Sequence, residues 1–203
     1  APSNGQFGCI LIVGNVTLCL NGHTITVKAD SEAFKITNSF GTSGSTLTLT
    51  DCKGVGKITH EPSFLGNGVN LSENCNFIMY NGSITGNTTS GNSEPLRSGG
   101  VWVHGSNSTF TMYGGSITDN NTAWGGGGVC VNESGTFHMC GGTISGNSAV
   151  DGGGGVYVGS GSTFTMAGES RIAGNTAGGG GGVEVFGSMT MTGGSITGNN
   201  AGN

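Results

Sequence analysis

The side chains able to do acid–base or metal chemistry are few and widely spaced. Over the regular part of the chain the carboxylates singled out are Asp119, Glu133, Asp151, Glu169 and Glu184. Work on a polysaccharide, or calcium capture, needs such groups clustered, often with a basic residue beside them. Aligned by repeat, these five occupy different columns. Glu169 and Arg171 lie close in sequence and read as a surface pair. His23, His60, His104 and His138 share no ligand spacing. The glycine runs at 125–128, 152–155 and 178–182 lack the Gly-Lys-Ser/Thr and following helix that a phosphate-binding loop requires, so they read as turns. No catalytic residue, metal site or cofactor is expected.

Recognition chemistry has better-placed candidates. Asn70, Trp102, Cys130, Tyr157 and Glu184 share one column between two apolar positions, and Trp124 stands in the adjoining turn. Exposed Trp and Tyr on a rigid face suit sugar rings or a protein hot spot. Arg97, in an inserted segment beside them, adds a charged contact. The expected binding set is thus Trp102, Trp124, Tyr157, Glu184 and Arg97. A competing reading covers Trp124 with the insertion at 88–99 and makes it packing. A third candidate surface is threonine. Thr46 and Thr48, Thr109 and Thr111, and Thr163 and Thr165 fall at equivalent outward positions, and Thr190 with Thr192 continues them with one residue of slip. Stacked Thr-x-Thr on a flat sheet resembles an ice-binding array. Asn76-x-Ile78, Thr136-x-His138 and Thr17-x-Cys19 interrupt the column, and threonine is in any case a favoured exposed strand residue.

These columns exist because the chain repeats. Val101, Val129, Val156 and Val183 are separated by 28, 27 and 27 residues, and Phe110, Phe137, Phe164 and Met189 by 27, 27 and 25. A fixed period in this range marks a solenoid. Val-x-Val, Phe-x-Met and Ser-Ile-Thr alternate with period two, so each is a short half-buried strand, with glycines and Asn-Ser-Thr clusters as turns between them. The expected fold is all-β: a right-handed parallel β-helix (β-solenoid) of about seven coils, three short strands per coil, roughly 35 Å long from the strand spacing. Val101, Val103, Phe110, Met112 and Ile117 point inward in one coil, and Val156, Val158, Phe164, Met166 and Ile172 in another. Each stacks on its equivalent in the next coil, which builds the core that one coil cannot make alone. Asn87, Asn120, Asn147, Asn175 and Asn199 recur at one turn and read as an amide-to-amide ladder, against the plainer alternative of solvated turn residues.

Composition limits the partners. Of 203 residues 44 are glycine, and only 8% are charged, with a net charge of −5 and no basic patch, which argues against nucleic acid. No apolar run reaches membrane-spanning length. The six cysteines, Cys9, Cys19, Cys52, Cys75, Cys130 and Cys140, contain no Cys-x-x-Cys, and an even count in a chain rich in Ser, Thr, Asn and Gly fits an extracellular protein with some disulfides. Cys19 lies in, and Cys52 just after, equivalent strands of adjacent coils, which makes them the candidate pair.

Residues 1–30 are expected to form an N-terminal capping coil, continuous with the repeats at 31–203 as one domain. Insertions at 60–68, 88–99 and 121–125 cluster at one junction, the expected binding edge. The last coil ends without a cap, which fits either a fragment of a larger surface protein or end-to-end self-association into a filament.

Gly-Gly-Ser/Thr-Ile, Phe-Thr-Met and Gly-Gly-Gly-Val-x-Val resemble the β-helix repeats of bacterial surface adhesins. The Gly-Gly-Ser-Ile phrase is similar to one of the short repeats of chlamydial polymorphic membrane proteins. Leu18-Cys19-Leu20-Asn21-Gly22-His23-Thr24-Ile25 and Leu47-Thr48-Leu49-Thr50-Asp51-Cys52 resemble large cell-wall proteins of gut Firmicutes. The resemblance implies an extracellular module, secreted or on a bacterial cell surface, that binds a glycan or host surface protein or serves as a stalk, without membrane insertion. The alternatives are an ice-binding or polysaccharide-degrading solenoid, or a filament subunit.

Overall fold

The computed structural model describes residues 8–38, 44–90 and 98–202. The chain is an all-β parallel β-solenoid of about six turns. Three faces are seven-stranded parallel sheets. The valine face runs from Ile10–Ile12 through Val101–Val103, Val129–Val131 and Val156–Val158 to Val183–Val185. The phenylalanine face runs from Asn15–Cys19 through Thr109–Met112 and Thr136–Met139 to Ser188–Met191. The isoleucine face runs from Thr24–Val27 through Ser116–Thr118 and Thr143–Ser145 to Ser195–Thr197.

A fourth face was not foreseen. Thr88–Thr89, Asn121–Thr122, Ser148–Ala149, Thr176–Ala177 and Asn200–Ala201 form a five-stranded sheet of two-residue strands. Each follows directly on a ladder asparagine. Two residues are too short to show any period, so they read as turn in the sequence. Thr89, Thr122 and Ala149 are nevertheless buried, and Thr89 Oγ1 donates to Thr122 Oγ1 at 2.8 Å.

Register is unbroken along the core. Phe77, Phe110, Phe137 and Phe164 pair in sequence and stack with ring centroids 4.8, 4.7 and 5.0 Å apart. All four are fully buried. Full burial of such a side chain stabilises by roughly 2–3 kcal/mol, so the stack is a main source of cohesion between coils. The first coil is as regular as the rest: Asn15 to Cys19 lie opposite Thr46 to Thr50. Ile12 is buried, while Ile10 and Leu11 stay exposed. That register also places Thr17 opposite Thr48, and at the far end Thr190 opposite Thr165, so there is no slip. The outward threonine column is broken by Ile78 and His138.

Asn87, Asn120, Asn147 and Asn175 are buried, Asn199 is half-buried, and the five are bonded in series. Asn87 Nδ2 donates to Asn120 Oδ1 at 2.9 Å, Asn120 to Asn147 at 3.0 Å, Asn147 to Asn175 at 2.9 Å, and Asn175 to Asn199 at 2.9 Å. Each backbone N–H also donates to the next oxygen in line, as Asn120 N does to Asn147 Oδ1 at 3.0 Å. A left-handed residue precedes each asparagine: Gly86, Gly146, Gly174 and Gly198 have φ near +65°, and Asp119 takes the same role at φ 56°. Short polar side chains tolerate that region better than most, which gives Asp119 a structural reason. His60 caps the ladder, with Nδ1 2.7 Å from Asn87 Oδ1 and Nε2 2.7 Å from the Ser31 carbonyl.

Candidate functional site

The glycine-rich turns decide what is exposed. After Asn121–Thr122, Ser148–Ala149 and Thr176–Ala177 the chain doubles back over the outward side of the valine face. A methyl group at Gly126 would lie 2.7 Å from the Cys130 Cβ, and one at Gly153 would lie 2.8 Å from the Tyr157 Cβ. Only glycine permits backbone to pack this close. The column expected to face solvent is therefore roofed over much of its length. Asn70, Trp102 and Cys130 are all buried.

Trp102 must be corrected on this ground. It is 3% exposed and lies under the His104 ring, with centroids 3.9 Å apart. His104 is held by Asn70 Oδ1 at 3.0 Å and approaches Glu133 Oε2 at 3.8 Å. Trp102 is packing in this structure, not an exposed platform. Its Nε1 finds no hydrogen-bond partner among the described residues. Arg97 lies outside the described residues.

Further along the same edge the roof opens. Trp124 remains 49% exposed, against the reading that buries it. Its turn is fixed by backbone: Trp124 N–H donates to Thr122 Oγ1 at 3.2 Å, and its carbonyl accepts from Asp151 N–H at 3.3 Å. Trp124 and Asp151 are thus adjacent rungs of one turn. Tyr157 and Glu184 are paired rungs of the valine face. These four residues, with Asn132, Val150 and Phe186, line a cleft of about 560 Å³. The Tyr157 and Phe186 rings are 5.8 Å apart, tilted by 46°.

Asp151 and Glu184, which the column reading of the carboxylates keeps apart, line the same cleft. Alignment puts them in different columns, but the Glu184 side chain extends across two glycines. A methyl group at Gly152 would overlap Glu184 Oε2, and one at Gly179 would lie 2.6 Å from Oε1. Phe186 was also missed. It lies one residue past the strand, at the position held by His104, Asn132 and Gly159 in earlier coils, since each of these N–H groups donates to the carbonyl closing the strand before it. That column was readable. Tyr80 and Tyr113 form a second exposed aromatic pair, stacked at 5.0 Å, on the turn after the phenylalanine face.

The cysteines form no disulfide among the described residues. Cys19 and Cys52 are brought together as thiols, with sulfurs 2.7 Å apart at an exposed position. The hydrogen bond from Cys52 holds the Cys19 thiol below its ordinary value, and the same contact pushes Cys52 up. Beside them Asp51 accepts from Gly22 and Gly56 N–H, each at 2.6 Å. The Gly56 bond leads in keeping its carboxyl below the ordinary value of 3.8.

Among the described residues no three His, Cys, Asp or Glu side chains gather to hold a metal ion. No helix among them is long and apolar enough to cross a membrane. Fold and cleft together define a parallel β-solenoid with an aromatic, acidic recess on its edge. The chain matches no family model, no curated protein and no solved structure. No family or relative therefore stands behind the adhesin resemblance.

Proposed function

We propose that this chain is an extracellular β-solenoid module of a bacterial surface or secreted protein that binds glycans in the cleft between Trp124 and Glu184. The observation that carries the reading is the exposed Trp124 ring, held by a hydrogen-bonded turn at the rim of a recess that also contains Tyr157 and Phe186. Sugar rings present C–H faces that pack on aromatic planes, and rigid aromatics lose little conformational entropy on binding. A volume of about 560 Å³ falls within the range of small-molecule sites and accommodates a short oligosaccharide. The proposed activity is binding without turnover. The test is a glycan array followed by calorimetry on the best hit. Trp124→Ala should weaken binding by about 2 kcal/mol, the loss typical of an anchoring aromatic, with an unchanged unfolding midpoint. Full retention of affinity in both Trp124→Ala and Tyr157→Ala would place recognition elsewhere on the solenoid. Shortening of the bound oligosaccharide would show turnover.

A further inference from the structure

Resting on the glycan reading, we infer that the cleft selects sugars carrying a free amine, such as glucosamine-containing oligomers, with the ammonium group set between Asp151 and Glu184. Charge is the first support. Asp151 and Glu184 are the only charged residues among the described lining of the cleft. The ion pairs among the described residues are Lys28 with Glu61, Lys35 with Glu32, and His104 with Glu133, none of which involves either cleft carboxylate. A neutral ligand that displaced water from two carboxylates lining one recess would leave them worse solvated. An anionic ligand would add a third repelling charge. A cation relieves all of this.

The arrangement of the recess is the second support. Glu184 lies over Gly152 and Gly179, where any larger residue would crowd its carboxylate. Two glycines from different coils thus leave the space that the acid occupies. Asp151 is tied by its backbone to Trp124, so its position is fixed relative to the aromatic rim. Aromatic faces attract ammonium groups as well as sugar C–H bonds, so Trp124, Tyr157 and Phe186 suit both halves of an amino sugar.

Other cations fit less well. A divalent metal would find only two carboxylates here, and no third ligand of that kind joins them among the described residues. A single lysine side chain would satisfy the charges but leave most of about 560 Å³ unfilled. A sugar ring bearing an amine fills space and pairs charge together.

The experiment is calorimetry of the whole chain, at mildly acidic pH and low salt, with three probes: a glucosamine hexamer, its fully N-acetylated counterpart, and an oligogalacturonate. The glucosamine hexamer should bind about tenfold more tightly than the N-acetylated one, as expected for two partly exposed charge pairs. Oligogalacturonate should bind most weakly. The preference should disappear in Asp151→Asn with Glu184→Gln, which keep side-chain shape, and should shrink as salt is raised. Equal affinity for the two hexamers, or a preference that survives in the doubly neutralised variant, overturns the amine assignment and leaves the glycan reading standing. If no oligosaccharide binds and Trp124→Ala changes nothing, the glycan reading itself fails. A lysine-rich peptide that binds with the same carboxylate dependence while glucosamine does not would replace the sugar by a protein ligand and also overturn the assignment.

Discussion

Replacing Asn147 by alanine should cost about 4 kcal/mol, although it removes no apolar contact of any size. The magnitude follows from four hydrogen bonds. Asn147 Nδ2 donates to the Ile117 carbonyl and to Asn175 Oδ1, both at 2.9 Å. Its Oδ1 accepts from Asn120 N and Asn120 Nδ2, both at 3.0 Å. In the alanine variant Asn175 Oδ1 keeps the Asn147 backbone N–H at 2.9 Å, and Asn120 Nδ2 keeps the Ile84 carbonyl at 3.0 Å. The Asn120 backbone N–H and one Asn120 amide hydrogen are left without an acceptor, in a site that is fully buried. Each orphaned donor costs about 1–3 kcal/mol, and two of them set the expected total. Asn121→Ala, at an exposed neighbour, is the control and should change stability by less than about 0.5 kcal/mol. Asn147→Asp separates the two halves of the site: it keeps the acceptor for Asn120 but sets a carboxylate oxygen against Ile117 and Asn175 oxygens. Urea unfolding followed by far-ultraviolet dichroism gives the difference, and amide exchange at Asn120 locates it. Because a solenoid is bonded coil to coil, the loss should fall at the interface next to residue 147. An Asn147→Ala variant within about 1 kcal/mol of the Asn121→Ala control would show that the ladder is not a source of stability.

Two further outcomes are expected. Asp51→Asn should destabilise the first two coils at neutral pH. Asp51 is held below 3.8 in the folded chain, so its contribution is fully present above that value and is lost as pH falls through the lower folded-state value. The stability gap between parent and variant should therefore close in acid; a gap unchanged down to the acid transition would refute the Asp51 assignment. Oxidised glutathione should convert Cys19 and Cys52 to one intramolecular disulfide, releasing two reduced glutathione molecules, with Cys19 the faster to react because its thiol is the more acidic. Non-reducing peptide mapping that finds either cysteine joined to a different partner would refute the pairing.

The repeat was legible because its signal is redundant. Phe77, Phe110, Phe137 and Phe164 report the same fact four times, and a misreading of any one would have been corrected by the others. The two-residue strands at Thr88–Thr89 and Asn121–Thr122 carry no period to detect, and their place is set by the asparagine turn before them. Trp102 shows a different limit. Alternation states which side of a strand a residue occupies, and it was right to point Trp102 away from the central core. It does not state what covers that side. Here the His104 ring stacks on Trp102, and at the following rungs the turns at Gly126 and Gly153 pack against Cys130 and Tyr157. Glu184 shows the converse. Column alignment fixes a backbone position, but the Glu184 side chain lies across Gly152 and Gly179 and so lines the same cleft as Asp151.

The strand register repeats from Val129 to Val185, so beside these strands side-chain volume shapes the recess. At the rung of Trp102 the indole is buried and stacked on the His104 ring. One rung on, Cys130 takes the indole's place with a far smaller side chain. At the next, Tyr157 is large, but the residue opposite its ring is Gly125, and the turn residue Gly152 leaves room for Glu184 to lie across it. Small residues set beside large ones on successive rungs, about 4.8 Å apart, open a hollow that neither kind would open alone. Trp124 and Phe186 stand exposed at its margin. A strictly regular solenoid of this sequence type would have no recess at all. The proposed glycan site lies where the repeat is broken in side-chain size while its strand register is kept, in the stretch from Trp124 to Phe186.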